Sequence, residues 1–347
     1  MSLLSRSERV RIIQKIEKKR DSRIISYFTG DRQGLVTQVA DDAVRLMHSH
    51  LQTFGRQKQI DLFLYTRGGV LMAPLRIVQL VREYCQTFQV LVPYRAHSAG
   101  TLICLGADKI VMGRLAELTP VDPSTANDFN PQNPLSPAMR IPISVEDVTA
   151  YLSLAEKKAR LTSENTRLEV FRSLTNQINA IALGNVHRVY GEIRSLVDNL
   201  LRLHMTTAEE KKRIPAIVKT LTETYTHDHL IPRVEGKRIG LKVETPDDEL
   251  EALMTQLYEV YEKDLLLREA FNPDSLLGAA QSAEFSHETA YVESTSKTQA
   301  FVQAGVVSRS PGPVQIPSPT GVPVQFGGLE QVTVRFMTQG WQEVLGN

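Results

Sequence analysis

The chain has 347 residues, 42% of them apolar, with 40 basic against 39 acidic side chains and a formal net charge of +1. That length allows a sizeable core, as one large domain with appendages or as two domains, while the balanced charge and the lack of a basic stripe with interleaved aromatics argue against nucleic acid or an anionic membrane as partner. Only Cys85 and Cys104 are cysteines, both in apolar patterns that read as helical, which argues against a disulfide framework and for a reducing compartment.

In chain order, residues 6–20 make a charged helix whose Val10, Ile13 and Ile16 form a narrow apolar stripe, suited to a partner or to the domain edge. This start is too charged for a secretory signal, and no run approaches the roughly 20 apolar residues that span a bilayer, so a cytoplasmic protein without a transmembrane segment is expected. Arg23 to Phe28 is the first strand. Residues 35–50 read as an amphipathic helix with Val36, Val39, Ala43 and Leu46 on one face, and with His48 and His50 at its end as surface residues complementing the dipole. Residues 59–65 with Thr66 form a short, mostly apolar run, which suits a strand covered on both faces.

Arg67-Gly68-Gly69 breaks that strand, and from Val70 the apolar positions Leu71, Leu75, Val78 and Val81 have helical spacing. A second unit repeats the design: Val90 to Val92 as strand, His97-Ser98-Ala99-Gly100 as turn, Thr101 to Ala107 as helix. Strands alternating with helices up to Val111 predict an α/β fold with a mainly parallel sheet and both tight turns at one edge. Residues 119–143 then hold Pro120, Pro123, Pro131, Pro134, Pro137 and Pro142, which predicts an irregular loop over that edge, a lid or substrate-binding segment.

Ser144 with Asp147 opens a charged helix expected to run through Arg160 toward Phe171. Val186, Val189, Ile193, Leu196, Val197 and Leu200 keep one broad face, the mark of a core or subunit-interface helix, and Ile214, Ile217, Val218, Leu221 and Tyr225 repeat it. His227-Asp228-His229 lacks a third ligand at a recognisable spacing, so a structural turn is expected and no metal. From about residue 275 the chain turns β-rich, and this tail either adds strands to the sheet edge or reaches a neighbouring subunit. Trp341 suggests a docked terminus. The expected division is a helical arm at 1–22, a main domain at 23–275 and a C-terminal extension at 276–347.

The two glycine turns have a chemical use. A serine at a sharp strand-to-helix turn presents its hydroxyl at the sheet edge, and the N–H after it lies at a helix start, where an oxyanion is favoured. A Gly-Gly turn on the next strand supplies a second N–H, because no side chain blocks approach. Taken alone, Ser98 also reads as a helix N-cap and Gly68-Gly69 as a plain turn.

The combination is more specific. Tyr65-Thr66-Arg67-Gly68-Gly69, Ala96-His97-Ser98-Ala99-Gly100-Thr101-Leu102, Gly106-Ala107-Asp108-Lys109-Ile110-Val111-Met112 and Leu118-Thr119-Pro120-Val121-Asp122-Pro123 together resemble the serine dehydrogenase proteinase family, relatives of the signal peptide peptidase SppA and, more distantly, of the Clp protease subunit and the crotonases. The likeness resumes at Ala182-Leu183-Gly184-Asn185-Val186, at Thr226 to Ile231 and at Gly236 to Leu241. It implies a ClpP/crotonase-like α/β core of repeated β-β-α units with helical additions and a β-rich tail, Ser98 as nucleophile, and the N–H groups of Gly69 and Ala99 as oxyanion hole. Gly68 and Val70 would line the peptide, laid along the edge by strand addition. Arg67 departs from the pattern, since relatives commonly carry proline there.

The base for Ser98 is less legible. The Leu118 to Pro123 stretch offers Asp122 and no histidine, His97 is adjacent and so directed elsewhere, and Arg140 does not deprotonate. SppA-like enzymes use a desolvated neutral lysine, for which Lys157 and Lys158 are the candidates, Lys158 ahead because it lies nearer Leu154 and Ala155. The reading is therefore a cytoplasmic serine peptidase acting on peptide or protein substrates, self-assembled, without metal or nucleotide cofactor and without nucleic acid. Two alternatives remain open: a crotonase-like acyl-CoA enzyme, and a catalytically silent assembly subunit.

Overall fold

The computed structural model describes residues 3–121, 124–125, 127–134, 136–224, 228–316 and 324–344. Its first part alternates strand and helix as the apolar periodicity requires: α1 (Leu3–Arg20), β1 (Arg23–Thr29), β2 (Asp31–Arg32), β3 (Leu35–Val36), α2 (Asp42–Phe54), β4 (Gln57–Tyr65), α3 (Ala73–Glu83), β5 (Cys85–Val92), β6 (Arg95–Ala96), α4 (Ala99–Leu105), β7 (Lys109–Met112) and β8 (Glu117–Leu118). In the proline-rich stretch, β9 (Ser124–Thr125) pairs with β12 (Ile143–Ser144) and β10 (Gln132–Asn133) with β11 (Ser136–Arg140). Helices follow: α5 (Val145–Ser153), α6 (Glu164–Gln177), α7 (Ala180–Arg202) and α8 (Ala208–Lys219). The chain ends in β13 (Ile231–Pro232), α9 (Arg233–Ile239), β14 (Val243–Glu244), α10 (Asp248–Asp264), α11 (Pro273–Leu277), β15 (Ser282–Glu293), β16 (Thr298–Ile316) and β17 (Val324–Glu343).

One eight-stranded sheet, in the order β14-β7-β5-β4-β1-β15-β16-β17, carries the molecule. The strands from β14 to β1 are parallel neighbours. In β4 every residue from Ile60 to Tyr65 is buried, so both faces of the strand need cover. One face packs Ile25, Leu62 and Val90 against α2, α3 and α4, with Val197 and Leu200 of α7 beyond. The other packs Ile24, Phe63, Leu91 and Val111 against Ile12, Ile13 and Ile16 of α1 and Leu257 and Tyr261 of α10.

The C-terminal strands enlarge this sheet. β15 runs antiparallel to β1, with Ser26 opposite Glu293, and β16 and β17 continue outward as a long hairpin. Trp341 meets Phe301 edge-on at 5.4 Å between ring centres. A smaller sheet, β13-β8-β6, joins the main one where Thr66 bridges to Ala96.

Four local expectations give way to tertiary partners. The helix expected from residue 35 begins at Asp42, because Leu35 and Val36 pair back on Asp31 and Arg32 and Val39 bridges to Gly69. His50 is not a surface residue: the C-terminal strands cover it, and its ring meets Ser294 Oγ at 2.8 Å and Gln299 Oε1 at 2.7 Å. The helix expected from 145 toward 171 is two, since α5 passes into a π-turn at Leu154–Lys158, Arg160 takes φ 56° and Ser163 caps α6 by accepting the Thr166 N–H. Cys85 opens β5 instead of lying in a helix, and burial pushes its thiol up to about 11. Cys104, in α4, is fully buried, which raises its thiol further. Neither thiol is set up as a nucleophile.

Burial also lowers the pKa of His50, His97 and His287, and that of His204 to about 4. A histidine held neutral in the fold binds its proton more weakly than in the unfolded chain. Its contribution is therefore complete above the unfolded value near 6.5 and is lost as pH falls toward the folded value. The urea midpoint is expected to be lower at pH 5.5 than at pH 7.5; equal midpoints would show that these rings are not held neutral by the fold.

Candidate active site

Two turns meet at the C-terminal ends of the adjacent strands β4 and β5, the edge at which open parallel sheets place their ligands. β4 runs through Thr66 into Arg67-Gly68-Gly69 and on to α3. β5 continues through Pro93, Tyr94 and β6 into His97-Ser98 and on to α4. The Thr66 N–H donates to Arg95 O at 2.9 Å and the His97 N–H to Thr66 O at 3.0 Å, so the turns are locked to each other.

Ser98 holds φ 49° and ψ −107°. For a residue with a Cβ this conformation costs about 1 to 3 kcal/mol and persists only where its surroundings impose it. Here its N–H donates to Thr119 Oγ1 at 2.8 Å. Thr119 is held in turn by Thr101, whose hydroxyl donates to Thr119 O at 2.8 Å and accepts the Thr119 N–H at 3.2 Å. Although Ser98 occupies the N-cap of α4, its hydroxyl makes no capping bond. The plain N-cap reading therefore fails: the turn is a strained strand-to-helix elbow whose hydroxyl, among the described residues, is not spent on capping α4.

Neither glycine can be replaced without a clash. A Cβ on Gly68, at φ 118°, would stand 2.9 Å from Ser98 Cβ, and one on Gly69 would stand 2.1 Å from Val39 O. The Val39 N–H donates to Gly68 O at 2.9 Å and the Val70 N–H to Val39 O at 2.8 Å. In this parallel pattern the N–H and C=O of Gly69 itself point away from Val39. Ala99 opens the first turn of α4, where an N–H has no intrahelical acceptor, and Val70 is exposed beside the turn.

A polar network lies beneath. The His97 ring donates from Nε2 to Glu117 Oε1 at 3.0 Å, since a carboxylate only accepts. Arg95 reaches Asp31 at 2.9 Å, Glu117 at 3.3 Å and the Tyr94 hydroxyl at 2.7 Å, while Tyr65 donates its hydroxyl to Asp31 at 2.8 Å. Burial lowers the pKa of His97 and the charge of Glu117 opposes that fall. The ring is thus engaged away from Ser98, as adjacency in sequence suggests. Thr119, Asp31, Arg95 and Glu117 carry no motif that marks them; only the Leu118-Thr119-Pro120 stretch drew attention to one.

Lys157 and Lys158 lie on the π-turn after α5, both exposed, bordering a cavity of about 500 Å³ with Ser153, Leu154, Tyr190 and Glu223. Among the described residues no hydrogen bond joins Lys158 to Ser98. Arg140 donates to Asn130 O at 3.3 Å, and His229 meets Glu235 at 3.1 Å. Asp122, Tyr225 and His227 lie outside the described residues. No three His, Cys, Asp or Glu side chains cluster as metal ligands among the described residues, and no helix there is long and apolar enough to cross a membrane.

A family model described as ClpP-like SDH-type serine proteinase matches residues 2–175, which hold both turns, α5 and all but the last two residues of α6. The chain belongs to this family. Two uncharacterized proteins of Methanocaldococcus jannaschii are similar to it. MJ0137 is 27% identical over 259 residues, 72% of this chain and 78% of the relative. MJ1495 is 25% identical over 248 residues, 69% of this chain and 72% of the relative. The matched half carries the parallel strands β1, β4, β5 and β7 and the elbow, while α7 to β17 lie beyond the match.

Proposed function

We propose that this member of the ClpP-like family is a serine peptidase in which Ser98 attacks a peptide carbonyl. The observation that carries this reading is the Ser98 elbow, strained at φ 49° with no capping bond and packed directly on Gly68. The N–H groups of Gly69 and Ala99 hold the oxyanion of the tetrahedral intermediate, and loss of one such donor typically costs about 3 to 4 kcal/mol of transition-state stabilisation. The edge of Gly69 that faces away from Val39 takes the extended substrate between Gly68 and Val70 by strand addition. Water then releases the acyl-enzyme.

Lys158 is proposed as the base. To act near pH 7 it must lose its water and its charge, and in a single copy it is exposed. The segment that carries it buries none of α6 and leaves Leu154, Leu161, Leu168 and Phe171 exposed. A second copy covering this surface would desolvate the lysine, so the working enzyme is read as a homo-oligomer. Two free, buried cysteines suit the reducing cytoplasm.

Labelling of the full chain with a fluorophosphonate probe, located by mass analysis of the digested adduct, tests the reading. Label on Ser98 that disappears in Lys158→Met is the expected result. Label on Ser98 that persists in that variant would keep the nucleophile and remove the base. An assembled, folded protein that takes no label would be a silent subunit.

A further inference from the structure

Arg67 directly precedes the two glycines of the turn, and its side chain is 60% exposed. Among the described residues, its carboxylate partner is Asp31, 4.0 Å away. That carboxylate is almost buried and already has closer partners, Arg95 at 2.9 Å and the Tyr65 hydroxyl at 2.8 Å. Glu117, the other acid of the network, is taken by His97 and Arg95. Among the described residues, Asp31 and Glu117 therefore have closer donors than Arg67, whose guanidinium stays accessible to solvent. After burial, the charges of Arg95 and Arg67 are what lower the His97 pKa, against the pull of Glu117.

We propose that Arg67 makes this site selective for acidic peptides, pairing its guanidinium with an Asp or Glu side chain close to the scissile bond. The placement of that bond at Gly69 and Ser98 rests on the peptidase reading above. Arg67 precedes Gly69 by two residues, and an extended chain advances about 3.3 to 3.6 Å per residue, so a long side chain at 67 commands roughly three substrate residues on either side of the carbonyl. A guanidinium matches a carboxylate by two parallel N–H donors, which a lysine or a neutral residue at this position would not provide. Because Arg67 is open to water, the preference is expected to weaken as salt is raised.

The test separates binding from chemistry. In the full chain carrying Ser98→Ala, fluorescent peptides that differ only in Glu, Gln or Lys around one central site are titrated by polarisation at low salt. The Glu peptide is expected to bind about tenfold more tightly than its Gln counterpart, the scale of one charge-assisted contact, and the Lys peptide more weakly than either. Arg67→Gln in the same background should erase the preference, and Arg67→Glu should invert it. Equal affinities for the Glu and Gln peptides, or a preference that survives Arg67→Gln, would overturn the assignment. Fluorophosphonate labelling of Ser98 with charge-blind binding would leave the peptidase standing without this selectivity, whereas Arg67-dependent binding without labelling would remove the chemistry and keep the acidic-peptide site.

Discussion

Replacing Ser98 with glycine is expected to abolish peptide hydrolysis and yet raise the melting temperature. The loss should be on the order of 10⁶-fold, the scale for deleting a serine nucleophile whose base and oxyanion donors act as a unit with it. The gain follows from the backbone. A residue with a Cβ at φ 49° and ψ −107° is held there at a cost of about 1 to 3 kcal/mol, a cost glycine does not bear, while glycine's greater freedom in the unfolded chain returns only about 0.5 to 1 kcal/mol. A net gain near 1 kcal/mol would move the transition up by roughly 2 °C in a chain of this size. Ser98→Ala is the control, because it removes the hydroxyl and keeps the strain: it should be equally inactive with an unchanged melting temperature. Calorimetry beside a peptide-hydrolysis assay reads both quantities. Residual hydrolysis in either variant would place the nucleophile elsewhere, and a melting temperature several degrees lower in Ser98→Gly would show that the elbow is not strained.

Glu293→Gln is expected to be the most damaging isosteric change in the molecule. Glu293, on β15, receives Arg9 Nε at 2.6 Å and NH2 at 3.1 Å, the Tyr261 hydroxyl at 2.7 Å and the Thr298 hydroxyl at 2.7 Å. Arg9, on α1, is fully buried, lies over the Tyr291 and Tyr261 rings and also pairs with Asp264 of α10. Burial by itself would lower the Arg9 pKa, but the charge and hydrogen bonds of Glu293 outweigh it and raise the value. Removing that carboxylate takes from a fully buried guanidinium its bidentate counter-ion, which costs about 3 kcal/mol or more. Since the pair ties the first helix and α10 to the strand that opens the C-terminal extension, limited proteolysis should then cut within residues 3–20. Arg9→Met combined with Glu293→Gln should recover part of the loss, because the fully buried guanidinium is gone and Asp264, which loses it, is 15% exposed. Urea unfolding of the three variants decides the matter: a cost under about 1 kcal/mol for Glu293→Gln, or a double variant as unstable as the sum of the single ones, would contradict this account.

What could be read from the chain alone was what short-range chemistry dictates. The run from Ile60 to Tyr65 is apolar except for Asp61 because its strand is covered on both faces, and the apolar positions say so without help from the rest of the molecule. The glycines at 68 and 69 announce a turn no side chain could make, and a serine between a strand and a helix marks the elbow. The cap of α5 by Ser144, which accepts the Asp147 N–H at 3.1 Å, was equally local. The tertiary structure decided whatever depended on a partner far away in sequence. Val36 and Val39 have helical spacing, but the strand pairings with Asp31 and Gly69 claim them first. His50 reads as a surface residue until β15 and β16 cover it. The N–H of Ser98 finds its acceptor in Thr119, Arg95 serves two carboxylates 64 and 22 residues away, and Arg9 finds Glu293 across 284 residues. No periodicity encodes such pairs, because each depends on how the sheet brings distant segments together, whereas turns and strands answer to neighbours only a few residues off.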